Sequence, residues 1–259
     1  MIEFDHVSFS YGAKSVLKDL SFSIRFKERI AVLGGSGDGK TTILKIILGL
    51  IKPDSGRVLI DGEDITFRGE DDLREARMKF SMVFQEGALF DSLTVKENVA
   101  FCLREYSRIS EEGIEKKVRD ILKTVGVESA MHLMPEELSG GMHRRVALAR
   151  SLAAFEPKMF LYDEPTTGLD PINANNICRL IVDLVNNGKG FIVVTHKVTD
   201  ALKVARRFMF LKHGTLFFDG SRDELMTATD PDIRLFMSEL SSGTDMQGAV
   251  NPSQGGRDV

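Results

Sequence analysis

The run Gly34-Gly35-Ser36-Gly37-Asp38-Gly39-Lys40-Thr41-Thr42 combines glycines, a lysine and hydroxyl side chains at a spacing suited to phosphate. Glycines let successive backbone N–H groups turn toward an anion, and the lysine adds a fixed positive charge. Thr41 offers a hydroxyl to Mg²⁺, so the pattern implies ATP with its metal ion. Asp38 is the discordant member, because a carboxylate beside phosphate repels it. The expected resolution is a side chain directed outward, in which case Asp38→Ser leaves nucleotide affinity unchanged or improves it. Asp163 and Glu164 follow an apolar segment, Met159-Phe160-Leu161-Tyr162. At a strand's carboxyl end such a pair suits Asp163 to the metal, a hard cation that takes oxygen ligands, and Glu164 to general-base activation of water. His196 ends the next apolar segment at Thr195, where an imidazole can reach a γ-phosphate. Downstream of the glycine loop, Ser139-Gly140-Gly141 opens a helical pattern running through Arg144, Arg145, Val146, Leu148 and Ala149. A helix N-terminus presents N–H groups to an anion, so this run is a second phosphate-binding candidate.

These residues need a parallel sheet beneath them. Ile30-Ala31-Val32-Leu33 reads as a short buried strand feeding the glycine loop, and 42–48 as an apolar-faced helix leaving it. The apolar runs at 159–162, 191–194 and 208–211 are separated by helix-length segments, the pattern of strands wound by right-handed crossovers. Before them, Ile2, Phe4, Val7 and Phe9, then Leu20, Phe22 and Ile24, alternate in strand fashion and imply an antiparallel β-layer. Pro53-Asp54-Ser55-Gly56, Val58-Leu59-Ile60 and Asp61-Gly62 read as turn, strand and turn, a hairpin expected on the nucleotide side. From about 86 to 156 the spacing is helical, with Ile114, Val118, Ile121, Leu122 and Val125 on one face. The fold class is therefore α/β: a P-loop NTPase core with a parallel sheet wrapped by helices, an N-terminal antiparallel β-layer and an inserted helical subdomain. One domain is expected over 1–240, and the polar, Gly- and Ser-rich segment 241–259 is expected to be disordered.

Composition narrows the function. The 259 residues and 42% hydrophobic content suffice for a full core, and a net charge of −4 argues against a chain that coats nucleic acid. Cys102 and Cys178 stand apart, so neither a disulfide framework nor a zinc knuckle is expected. The first residues carry neither a basic leader nor an apolar signal core, and no apolar run reaches the roughly 18 residues that a membrane-spanning helix needs. If the chain serves a membrane, it does so from outside the bilayer.

In order, these motifs resemble the ATP-binding subunit of an ABC transporter from Tyr11 to about Gly220. Tyr11 resembles the aromatic that stacks on adenine, 34–42 the Walker A loop, and Gln85 the glutamine that joins Mg²⁺ to the helical subdomain. Ser139-Gly140-Gly141 resembles the family signature, Asp163 and Glu164 the Walker B pair, Asp170 the dimer-interface aspartate, and His196 the switch histidine. Taken alone, Tyr11 also reads as a turn tyrosine and Gln85 as a polar strand end. Met142 replaces the glutamine usual in the signature, which leaves only the serine and backbone contacts there. The resemblance implies a head-to-tail homodimer, in which Lys40 of one copy and Ser139 of the other grip the same ATP.

The segment 85–99 and Leu138-Ser139-Gly140-Gly141-Met142 followed by Arg144-Arg145 look like the ATPases of Mce-linked lipid transport, the Mla phospholipid system. That resemblance implies a peripheral place on the cytoplasmic face of a bacterial inner membrane. It also implies a multi-spanning permease, an Mce-domain subunit and a small STAS-domain subunit as partners. Leu89, Phe90 and Leu93 are expected either to line the groove for a permease helix or to fill the subdomain's own core. Alternatives are a polar-solute transporter ATPase, for an amino acid for example, a soluble ABC ATPase acting on DNA or ribosomes, and a membrane-tethered ABC ATPase that transmits a signal without moving a solute.

Overall fold

The computed structural model describes residues 1–153, 157–185 and 188–242. Its strands are β1 (Ile2–Tyr11), β2 (Lys14–Ile24), β3 (Arg29–Leu33), β4 (Ser55–Ile60), β5 (Glu63–Asp64), β6 (Phe80–Val83), β7 (Met159–Asp163), β8 (Gly190–Thr195), β9 (Arg207–Lys212) and β10 (Thr215–Ser221). Its α-helices are α1 (Lys40–Ile47), α2 (Glu70–Arg77), α3 (Val95–Tyr106), α4 (Glu111–Thr124), α5 (Gly140–Ala153), α6 (Pro171–Leu184), α7 (Val198–Val204), α8 (Arg222–Thr227) and α9 (Pro231–Ser242).

Two sheets form. The first is antiparallel, in the order β2-β1-β4-β5; the second runs β10-β9-β3-β8-β7-β6, parallel except for its edge strand β10. Its inner strands β3, β7, β8 and β9 are apolar on both faces because both faces are covered. Ile30 and Val32 join the core shared with α1 and the antiparallel sheet, whereas Ala31 and Leu33 join the core beneath α6 and α7. In β1 the alternation slips between Phe4 and Val7, where His6 adopts a left-handed φ of 55°. Asp19 does the same on β2 at φ 53°, and its carboxylate lies 2.7 Å from His6 Nδ1. These bulges return the apolar side chains to the core face after an extra residue.

The β4–β5 hairpin corrects one expectation. Asp61 donates its N–H to Met1 O, and Ile60 pairs with Ile2, so the turn lies at the end of β1 remote from Tyr11 and not on the nucleotide side. The helical segment is the crossover between β6 and β7, which are adjacent and parallel. Helices α3, α4 and α5 bury a core of their own around Val99, Val118, Leu122 and Val146. Its first helix starts at Val95, not near 86, behind a loop ended by a capping box: Thr94 Oγ1 accepts the Glu97 N–H and Glu97 accepts the Thr94 N–H. The expected tail begins inside α9 at Ser241 and Ser242, and its remainder, 243–259, lies outside the described residues, as do 154–156.

Candidate functional site

Parallel strands all end on one edge of their sheet, so whatever follows β3, β6, β7 and β8 is gathered there. The glycine loop follows β3, Gln85 follows β6, Asp163 closes β7 with Glu164 next, and His196 follows β8. A cavity of about 470 Å³ opens at this edge, lined by Tyr11, Ser36, Gly37, Gly39, Lys40, Thr41, Thr42, Gln85, Glu164 and His196 among others. Lys14, Val16 and Thr167 also line it. Lys14 pairs with Tyr11 across the β1–β2 turn, so its place was open to inference once Tyr11 was singled out. Tyr11 is half-exposed and packs edge-on against Phe9.

Helix α1 begins where the loop demands it. Gly39 has φ 102°, and a Cβ there would meet Leu17 Cδ2 at 2.5 Å, so glycine alone fits. Lys40 is buried, and its Nζ donates to Gly34 O at 3.0 Å and Gly35 O at 2.8 Å, with Glu164 Oε1 at 3.8 Å. Burial holds its ammonium below the ordinary lysine range, while Glu164, Asp38 and Asp163 pull it back up.

Thr41 Oγ1 donates to Asp163 Oδ1 at 2.9 Å. Burial pushes the Asp163 carboxyl above its usual range, against the opposing hydrogen bond from Thr41. A hydroxyl beside a carboxylate that lacks full compensation, with the Gln85 amide on the same cavity, is a hard-oxygen donor set that suits Mg²⁺.

Glu164 is the most constrained residue of the site. Its backbone is left-handed at φ 46°, its N–H is donated to Val194 O at 2.9 Å, and its carboxylate is buried. Oε2 accepts from Thr167 Oγ1 at 2.9 Å and Thr195 Oγ1 at 3.1 Å. Oε1 accepts the His196 N–H at 3.1 Å and stands 3.0 Å from His196 Nδ1. A non-glycine residue in this conformation is held against its preference by its surroundings, the pattern found where a side chain must be aimed.

Asp38 departs from expectation: it does not point outward. Its Oδ2 accepts the Gly35 N–H at 2.7 Å and its Oδ1 accepts the His213 N–H at 3.1 Å. The carboxylate is turned into the scaffold because two backbone donors converge there.

Ser139, Gly140, Gly141 and Asp170 are not among the cavity's lining residues. Ser139 Oγ accepts the Met142 N–H at 3.3 Å and so caps the start of α5. Asp170 caps α6, accepting the N–H groups of Ile172 and Asn173 at 3.0 Å each, which holds its carboxyl below the usual range. Arg144, from α5, donates to Phe84 O and Thr167 O, linking the helical segment to loops on either side of the cavity.

Fold and site together define a P-loop nucleoside triphosphatase with a helical insertion between two neighbouring strands. The ABC transporter family profile matches residues 17–167. The intermembrane phospholipid transport system ATP-binding protein MlaF of Escherichia coli is 38% identical over 94% of this chain and 90% of its own length. The chloroplastic protein TRIGALACTOSYLDIACYLGLYCEROL 3 of Arabidopsis thaliana is 42% identical over 94% of this chain and 75% of its own. Among solved structures, the ATP-binding cassette MJ0796, a dimer in a post-hydrolysis state bound to ADP and Pi, superposes with a TM-score of 0.79 at 34% identity. That superposition covers 85% of this chain and 98% of the cassette. The chain belongs to the ABC transporter family of ATP-binding subunits and is an ATPase.

Proposed function

We propose that this chain is the ATP-hydrolysing subunit of a transporter that moves phospholipid, working as a homodimer on the cytoplasmic face of a bacterial inner membrane. The observation that carries this reading is the similarity to MlaF along nearly the whole chain. Among the described residues no helix is long and apolar enough to cross a membrane, in keeping with a partner permease that supplies the spans. An Mce-domain subunit and a small STAS-domain subunit complete the proposed assembly. A single ABC ATPase domain over 1–240, with a polar tail after it, is part of the same reading.

In the proposed site Tyr11 stacks on adenine, the loop 34–42 wraps the phosphates, and Lys40 exchanges its carbonyl partners for phosphate oxygens. Thr41, Asp163 and Gln85 would hold Mg²⁺, which offsets phosphate charge when bound. Glu164 accepts a proton from the attacking water as the water oxygen forms a bond to the γ-phosphorus and the bond from that phosphorus to the bridging oxygen breaks, releasing ADP and phosphate. His196, beside Oε1 of Glu164, holds that carboxylate in line and meets the γ-phosphate. Ser139, Gly140, Gly141 and Asp170 belong to the face offered to the second copy's ATP, and the exposed Ile172 beside Asp170 supports such a contact.

The permease helix is proposed to seat where Phe90 is exposed, against Phe101 and under Arg150, next to a groove of about 380 Å³ between α2 and α3 that Arg74, Cys102 and Tyr106 line. Leu89 instead packs partly into the protein's own cores. Co-purification from native membrane tests the whole reading: a permease, an Mce-domain subunit and bound phospholipid are expected. A periplasmic amino-acid receptor in their place would overturn it in favour of polar-solute transport.

A further inference from the structure

We propose that Asp38 is a positioning residue of the phosphate loop, a brace that ties the loop to the β9–β10 turn. Three contacts carry this. Asp38 Oδ2 accepts the Gly35 N–H at 2.7 Å, Oδ1 accepts the His213 N–H at 3.1 Å, and the Asp38 N–H reaches back to Gly35 O at 3.4 Å. The Gly34-Gly35 segment is thus gripped from two sides, its N–H by Asp38 and its carbonyls by Lys40. The close approach depends on glycine: a Cβ at Gly34 would stand 2.4 Å from Leu211 O, and one at Gly35 would stand 3.0 Å from Asp38 Oδ2.

The far end of the brace is anchored as well. His213 is left-handed at φ 50°, followed by Gly214 at φ 81°, and Gly214 O accepts the Lys18 N–H at 2.8 Å. A side chain that holds His213 from the loop side and β2 that holds Gly214 from the other fix this turn against a backbone conformation that histidine disfavours. The carboxylate's charge is answered by two N–H dipoles, and charge-assisted hydrogen bonds of this kind are the stronger class. Asp38 is not among the residues lining the cavity, whereas Gly37, Gly39, Lys40 and Thr41 on either side of it are. Serine in this place is one bond shorter and sets a single oxygen where Asp38 meets the two donors with separate oxygens; alanine can answer neither.

The consequence for ATP rests on the ATPase reading, so the test has two arms. In nucleotide-free full-length protein, NMR-detected amide exchange at Gly35 and His213 is expected to quicken at least about tenfold in Asp38→Ala, relative to the β3 amides, as expected for loss of a hydrogen bond to a charged group. In steady-state hydrolysis, KM for ATP is expected to rise about tenfold in Asp38→Ala and by less in Asp38→Ser, while kcat at saturating ATP falls less than threefold. Should Asp38→Ala not fold, Asp38→Asn keeps one acceptor and is expected to quicken exchange at one of the two amides only. Unchanged exchange at both amides, or a KM that falls in the serine and alanine variants as removal of a repelling charge predicts, overturns the proposal. If the wild type binds no ATP, the ATPase reading fails, and the exchange rates still decide the brace.

Discussion

Glu164→Gln separates the proposed base from every other role of that position. The amide has nearly the shape of the carboxylate, and the surrounding donors indicate how it settles. His196 N–H can only donate, so the amide oxygen must take the place of Oε1, at 3.1 Å from that nitrogen. The NH₂ group then replaces Oε2 and faces Thr167 Oγ1 and Thr195 Oγ1, hydroxyls that can accept as readily as donate. The left-handed backbone at φ 46° is unchanged by the substitution, so the folded site is preserved. What is lost is basicity. A positioned general base contributes roughly 10²–10⁴-fold, and at about 1.4 kcal/mol per factor of ten the barrier rises by about 3–6 kcal/mol. Phosphate release assays at saturating Mg-ATP should therefore show kcat reduced by at least about a hundredfold, with KM changed little. The ATP-bound dimer should also persist on gel filtration, because the reaction that ends it is slowed. A variant retaining more than about a tenth of wild-type kcat would place the base elsewhere, and a variant that stays monomeric with saturating ATP would refute the sandwich.

Three further outcomes follow from the same geometry. The raised carboxyl of Asp163 binds protons more readily folded than unfolded, so its charge costs stability at neutral pH and the cost fades as pH falls toward the ordinary carboxylate range. Asp163→Asn should thus raise the Tm of the nucleotide-free protein at pH 7.5, by a margin that shrinks near pH 4, while hydrolysis is lost; a lowered Tm at pH 7.5 would contradict this. Phe90→Asp should uncouple lipid movement in reconstituted vesicles while basal hydrolysis persists, since Phe90 packs against Phe101 and Arg150 and is not among the cavity's lining residues; equal loss of both would assign Phe90 to the core. Mixing Lys40→Ala with Ser139→Ala should restore about a quarter of wild-type hydrolysis, because half of randomly paired two-fold dimers then hold one intact composite site of two; a mixture no better than the mean of its components would show that each copy works alone.

What was legible in the sequence was whatever depends on short, regular spacing. The strands β3, β7 and β8 are apolar on both faces, and each is followed at once by its chemical group, so strand and site announce each other. Less legible were elements whose placement is decided by distant neighbours. Strand β6 is four residues with Ser81 in its interior, buried only because its hydroxyl donates to Ser151 O seventy residues away. Helix α2 is charged along most of its length and contributes only Leu73 and Ala76 to the core, too thin a stripe to read as helical spacing. The start of α3 did carry a local signal, Thr94-Val95-Lys96-Glu97, since threonine and glutamate three apart cap a helix reciprocally.

Asp38 shows the limit most clearly. Electrostatics between neighbours in sequence favours an outward side chain, and that argument is correct for a loop considered alone. The deciding donor is the backbone N–H of His213, which carries no side-chain signature and comes from the opposite end of the chain. A backbone group is invisible to pattern reading because every residue except proline offers one; only the fold determines which N–H is left without a partner of its own. The same holds for Glu164, whose role as a candidate base was readable from its place after β7, but whose aim is fixed by Thr195, His196 and the Val194 carbonyl of the neighbouring strand. The identities of the reacting groups were local information, and their orientation was created by parallel strands bringing β7 and β8 side by side in register.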